Sequence, residues 1–189
     1  MDVEKNEKKT FSQKLSALLL KYRIIILSLV GLLIIAAVGL GVFSTVKSSI
    51  DKKNFAFLDE LTFSLDQTKA NLTEEMLHAK YDSIKEKIVE FTTKTKTGAP
   101  ASRAFMILAS IEFDRKNYTE SKDAWISAYE SNKNAYTAPV SLYNAAVCFE
   151  EIGEMENALE YYRLAVESKN FSLKPHAYFN MGRIYTETG

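Results

Sequence analysis

The sequence predicts an all-α chain in which an N-terminal transmembrane helix is followed by an α-solenoid of helical hairpins. Three observations predict it. Twenty consecutive residues, Ile24 to Phe43 (IIILSLVGLLIIAAVGLGVF), carry no charge. Gly (7) and Pro (3) are scarce among 189 residues while Ala, Leu, Glu and Lys abound, which favours helix over sheet. From Phe105 onward, large and small residues recur at offsets of 37 and 36 residues, and a period in that range marks stacked helix pairs.

The apolar run comes first. At ~1.5 Å per residue it covers ~30 Å, the hydrocarbon thickness of a bilayer. A helix apolar on all sides must be buried, and a chain of this size has no core large enough to bury it. Cleaved signal peptides have apolar cores of about 7–15 residues. Here the core is longer, and its small-x-small triplets, Ala37-Val38-Gly39 and Gly39-Leu40-Gly41, lie inside it. An uncleaved signal anchor over residues 24–46 is therefore expected, preceded by a basic tail, residues 1–23.

Lys5, Lys8, Lys9, Lys14, Lys21 and Arg23 precede the run, whereas Lys47, Lys52 and Lys53 follow it closely. This imbalance predicts a cytoplasmic N-terminus and a larger extracytoplasmic, or periplasmic, portion of a single-pass inner or plasma-membrane protein. Phe11, Leu15, Leu18, Leu19 and Tyr22 form a helical stripe suited to the membrane interface. Ala37 and Gly41 are a small-xxx-small pair, a pattern too common in apolar helices to predict dimerisation.

Residues 47–54 are polar and are expected as a linker. A degenerate helical hairpin follows over 55–97. Its first helix carries Phe55, Leu58, Leu61 and Leu65, its second Leu77, Tyr81, Ile84, Ile88 and Phe91, all at helical spacing. Thr73 is placed to cap the second helix, with Glu74 and Glu75 in the first turn. TKTKTGAP, residues 93–100, breaks the pattern with Gly98 and Pro100.

Repeats fill residues 101–189. Phe105 aligns with Leu142 and Tyr178; Leu108 with Ala145 and Met181; Ala109 with Ala146 and Gly182; Ser121 with Ala158; Ala128 with Ala165. Large residues fill the space between helices, and the small ones allow close approach. Each pair has an apolar face that it cannot cover alone, so neighbouring pairs stack.

These residues resemble the tetratricopeptide repeat. The 142–168 unit fits best, with Leu142, Ala145-Ala146, Phe149, Gly153, Ala158, Tyr162 and Ala165. The 178–189 unit supplies Tyr178, Met181-Gly182, Tyr185 and Gly189. The 105–131 unit departs: Lys116 stands at the turn Gly, Ser121 at the first Ala, and Glu112 at an aromatic position, where neighbouring Phe113 offers a substitute. The last unit reaches Gly189 before its second helix, which reads as an incomplete repeat.

Little in the chain suggests catalysis. Charge is balanced, with 24 basic and 24 acidic residues, so nothing advertises a nucleic-acid partner. His78 and His176 have no companion at metal spacing, and no phosphate loop or nucleophile motif occurs. A non-enzyme without cofactor or metal is expected. Glu150, Glu151, Glu154 and Glu156 read as a solvated acidic face. Cys148, the one cysteine, reads as an inert core thiol. Asn71, Asn117 and Asn170 begin glycosylation sequons, relevant only in a eukaryotic source.

In tetratricopeptide proteins the first helices of successive hairpins line a concave groove. The resemblance places Met106, Ser110, Tyr143, Val147, Phe179 and Arg183 there, with Asn144 and Asn180 nearby. Aromatics beside amides suit a protein or peptide partner. The alternative is that part of the set packs between repeats. The family's clamp for a terminal carboxylate is incomplete here.

The whole layout is similar to that of bacterial membrane-anchored tetratricopeptide proteins that accompany the Sec translocon. The likeness is strongest over AKYDSIKEKIVEFTTKTKTGAPASRAFMILASIEFDRKNYTES, from Ala79 onward. It implies a chaperone-like adaptor at an export machine. Alternatives are a scaffold for cell-wall synthesis or division, or an accessory to an envelope hydrolase.

Overall fold

The computed structural model describes residues 11–69, 72–169 and 171–188. The tail through Thr10, the sequon residues Asn71 and Asn170, and Gly189 lie outside the described residues. Among the described residues there are eight helices and no strand: α1 Phe11–Lys21, α2 Arg23–Lys69, α3 Glu74–Lys94, α4 Ala99–Asp114, α5 Tyr118–Ser131, α6 Ala138–Glu151, α7 Met155–Glu167 and α8 Lys174–Thr188. The all-α expectation holds. The chain divides into two compact units, Met1–Ile50 and Asp51–Gly189.

In the first unit, α1 leads through a turn at Tyr22 into α2. The apolar run is unpartnered: Ile24, Leu27, Ile35 and Leu40 are each 69–72% exposed. In water each such side chain forfeits about 1.5–3 kcal/mol of burial. This helix is long and apolar enough to span a membrane. The expected linker, 47–54, is helical instead and belongs to α2. It contains neither Gly nor Pro, so nothing in its backbone stops the helix. The boundary between the two units nevertheless falls within it.

The second unit relays three buried clusters along successive hairpins. Leu58 and Leu61 of α2 meet Tyr81, Ile84 and Ile88 of α3 and Ala104 and Ile111 of α4. Phe57 and Phe91 stack beside them, with ring centroids 5.6 Å apart. Ala109 of α4, Ala124 and Trp125 of α5, and Ala145 and Cys148 of α6 form the next cluster. Leu142, Ala146 and Phe149 of α6 pack on Ala158, Tyr162 and Ala165 of α7 and Ala177 and Ile184 of α8 in the third. The helical periodicities read for α2 and α3 are thus core faces, except at Phe55, which stands outside the cluster.

Local chemistry sets the boundaries. Thr73 caps α3 by accepting from the Met76 N–H at 3.4 Å. Gly98, at φ 90°, and Pro100 open α4. The turn between α6 and α7 has Gly153 at φ 80°, with the Gly153 N–H on the Glu150 carbonyl and the Glu154 N–H on the Phe149 carbonyl, both at 2.9 Å. Such a left-handed residue after a helix end favours glycine. Lys116 adopts the same conformation, φ 62°, with matching bonds from Lys116 to Phe113 and Asn117 to Glu112, also at 2.9 Å.

Two expectations about small and polar residues are corrected. Ala109 and Ala146 are fully buried. Gly182, aligned with them, is exposed, and a methyl group there would meet nothing within 4 Å. The described residues set no neighbour against that side of α8, so close packing does not require the glycine. Glu112 is not relieved by Phe113, which instead packs edge-on to Tyr118 at 5.3 Å. Glu112 is itself buried, 1% exposed, and pairs with Lys85 of α3 at 2.6 Å. Asn117 Nδ2 donates to its other oxygen at 2.7 Å.

Candidate functional site

The aligned positions of α4 and α6 were expected to share a surface, and the structure brings three of them together. Ser110 of α4 and Asn144 and Val147 of α6 line one shallow hollow of about 310 Å³ with Phe113, Asp114 and Trp125. Helical spacing explains this: Asn144 and Val147 are three residues apart and lie on one face. The hollow offers an amide, a hydroxyl and a carboxylate beside apolar surface. The Asp114 carboxylate also accepts from the Tyr81 hydroxyl at 2.8 Å.

Met106, one turn before Ser110, belongs to a second and larger hollow of about 610 Å³. Phe55 of α2, Arg103 of α4 and Tyr136 of the loop before α6 also line it. Arg103 stands 5.8 Å from the centre of the Phe55 ring and pairs with Asp59. Tyr136 is 84% exposed. Nothing in the sequence marks Phe55, Arg103 or Tyr136 as site residues. Phe55 continues an apolar stripe and so reads as core, and Tyr136 lies in a loop outside the repeat pattern.

Tyr143, Asn180 and Arg183 form a different arrangement. The Tyr143 ring lies 5.3 Å from that of Tyr162 and 5.9 Å from that of Phe171. Asn180 Nδ2 donates to the hydroxyls of Tyr162 at 2.9 Å and Tyr143 at 3.3 Å. Tyr162 donates to one oxygen of Glu150, and Arg183 donates to the other. Burial first, and then the adjoining Glu150 carboxylate, push the Tyr162 phenol far up from its ordinary range, so it remains a proton donor. These residues tie α6, α7 and α8 together, and Arg183 already has carboxylate partners in Glu150 and Glu187.

Glu150 therefore differs from the solvated acid that the sequence suggested. Its side chain is 10% exposed, whereas Glu151, Glu154 and Glu156 are exposed as expected. A one-residue step on a helix rotates a side chain by about 100°, which separates Glu150 from its acidic neighbour. Phe179 is 71% exposed and joins neither hollow.

The thiol of Cys148 is fully buried and donates to Ser121 Oγ at 3.3 Å; Ser121 donates in turn to the Ala109 carbonyl at 2.8 Å. Burial raises the thiol pKa, which disfavours the reactive thiolate. Among the described residues no group of three or more His, Cys, Asp or Glu side chains is placed to hold a metal ion.

Comparison with known proteins adds a repeat match. A family model for the tetratricopeptide repeat matches residues 140–171, which span α6, the Gly153 turn, α7 and the turn beyond it. A protein of Treponema pallidum (strain Nichols), described as a TPR repeat-containing protein, is 35% identical over 82 residues, 43% of this chain. Those residues cover 34% of the relative, so the chain spans about a third of its length. No solved structure matches the chain. Repeats of this kind present extended surfaces for protein–protein interaction. The matched unit is thus similar to a tetratricopeptide repeat, and its turn geometry recurs between α4 and α5.

Proposed function

We propose that the chain is a non-catalytic, membrane-anchored adaptor that receives a protein segment along the α4 and α6 face. The observation that carries this reading is the convergence of Ser110, Asn144 and Val147 on one hollow, one helical turn from Met106. An extended peptide there would set apolar side chains against Trp125 and Val147, while Asn144 and Ser110 offer hydrogen bonds to its backbone. Phe179, exposed on α8, is available to a partner that reaches past both hollows, and Arg183 fastens α8 to α6 through Glu150. Tyr143 and Asn180 serve it by holding α8 against α6.

The excess of Lys and Arg before the apolar run supports a cytoplasmic N-terminus and an extracytoplasmic repeat unit. Together with the layout, it favours a chaperone-like role at the Sec export machinery. The test is photo-crosslinking in membranes from Met106 and Val147, with Val89, exposed on α3, as the reference position. Enriched crosslinks from the first two to a translocon component, or to chains in transit, are expected. Equal labelling from all three positions would defeat the groove reading. A reporter fused after Gly189 that proved cytoplasmic would defeat the topology.

A further inference from the structure

The first unit contains a second feature besides its apolar run. From Lys8 to Arg23 the chain carries five cations, Lys8, Lys9, Lys14, Lys21 and Arg23, and no acid. At about 100° per residue, Leu15, Leu18, Leu19 and Tyr22 fall within one arc about 100° wide. Gln13 lies opposite and Ser16 to one side, just beyond Arg23, with Leu20 interrupting that polar face. Lys14 and Lys21 border one margin of the arc and Arg23 the other. The turn at Tyr22 keeps this register, because the Tyr22 N–H reaches the Leu18 carbonyl at 3.1 Å and the Ile26 N–H the Tyr22 carbonyl at 2.9 Å.

The stripe is uncovered. Leu15, Leu18, Leu19 and Tyr22 are 42–53% exposed. Lys21 Nζ stands 5.5 Å from the centre of the Tyr22 ring, extended along an aromatic face as a snorkelling lysine is. A helix with one narrow apolar arc and a polar back does not cross a bilayer; it lies in the interface, where cations at its margins meet phosphate.

We infer that α1 is an in-plane membrane helix that docks on an anionic phospholipid surface through Leu15, Leu18, Leu19 and Tyr22, with Lys14, Lys21 and Arg23 on the headgroup phosphates. The inference rests on α2 spanning the same bilayer. Charge complementarity selects the occupant: the cation-rich, acid-free segment is attracted to anionic lipid more strongly than to zwitterionic lipid.

The test places the full chain, in a Cys148→Ala background, in nanodiscs of phosphatidylcholine alone or mixed with phosphatidylglycerol. A fluorophore on Leu18→Cys, Ser16→Cys or Ile34→Cys is then quenched with acrylamide, which is neutral and water-borne. In the anionic discs, Leu18 is expected to be shielded and Ser16 quenched, and shielding of Leu18 should weaken in neutral discs. Lys14→Gln and Lys21→Gln should each shift the docking equilibrium by about fivefold in anionic discs. Equal quenching of Leu18 and Ser16, shielding of both, or shielding indifferent to lipid charge would each overturn the inference. Quenching at Ile34 would instead show that α2 does not span.

Discussion

The hairpins α4–α5 and α6–α7 follow one plan with different chemistry at three matched places. At the turn, Lys116 and Gly153 share a left-handed conformation and the same pair of 2.9 Å backbone bonds. Near the end of the first helix, Glu112 and Phe149 are both buried, at 1% and 6% exposure. At the start of the second, Ser121 and Ala158 are both fully buried. In α4–α5 each polar residue has a nearby partner: Lys85 and Asn117 for Glu112, and the Ala109 carbonyl for Ser121. A repeat can thus drift from its apolar pattern without losing its shape, provided that each buried polar group is satisfied.

The polar hairpin also reaches the helix that precedes it. Tyr81 and Lys85 of α3 reach Asp114 and Glu112 of α4, and Asp82 reaches Arg115 just beyond it. The degenerate hairpin is therefore fastened to the repeats by side-chain pairs, whereas α5 meets α6 largely through alanines.

The sharpest way to break the comparison is Lys85→Met. It leaves the buried Glu112 carboxylate with Asn117 as its one remaining side-chain hydrogen-bond donor and should cost about 3 kcal/mol, read from urea unfolding of the detergent-solubilised chain. Adding Glu112→Leu should return stability to within about 1 kcal/mol of the parent, because an apolar pair of similar volume replaces a buried ion pair at little net cost. If the double variant is as weak as the single one, the pair contributes more than mutual neutralisation.

Acid probes the same site. Burial opposes ionisation of Glu112 most strongly, but Lys85, Asn117 and Arg115 together outweigh it and hold the carboxyl below the ordinary carboxylate range. In that window the unfolded chain binds more protons than the folded one, so stability rises with pH. The contribution is complete above the ordinary Glu pKa and is lost as pH falls through the lowered one. The urea midpoint of the parent should fall more steeply from pH about 5 down through the lowered pKa than that of the Lys85→Met, Glu112→Leu variant.

The turns should respond with opposite signs. Gly153→Ala places a side chain in the left-handed region and should cost about 1–2 kcal/mol, whereas Lys116→Gly should gain about 0.5–1 kcal/mol by relieving it. Thermal unfolding of the two variants decides this, and shifts in the same direction would refute the shared-turn account.

The smallest effects come from two buried serines. Ser121→Ala removes a hydroxyl that is bonded on both sides and should cost about 1 kcal/mol. Ser141→Ala removes a fully buried hydroxyl with no hydrogen-bond partner among the described residues and should gain up to about 1 kcal/mol. Paired denaturation curves would expose an error if both variants lost stability.

Features that depend on local spacing were legible in the sequence. Leu58, Leu61, Tyr81, Ile84 and Ile88 announce their shared face by period, and Thr73 and Gly98 announce helix boundaries by residue type. Ser110 and Val147 share a hollow because the repeat offset carries one position onto the other. Glu150 was not legible, since its partners Tyr162 and Arg183 lie 12 and 33 residues away and its acidic neighbours disguise it. Gly182 misled in the opposite way, because alignment transfers a residue's size but not its neighbours. Residues 47–54 look like a linker by polarity, although polarity alone does not end a helix.

The enclosed thiol of Cys148 gives the molecule a built-in clock. With one cysteine in the chain, shut between α5 and α6 against Ser121, an alkylating reagent can react only when that seam parts. The rate of modification under native conditions thus measures how often the seam opens. A ligand that braces the repeats would slow the clock, with no reporter group added.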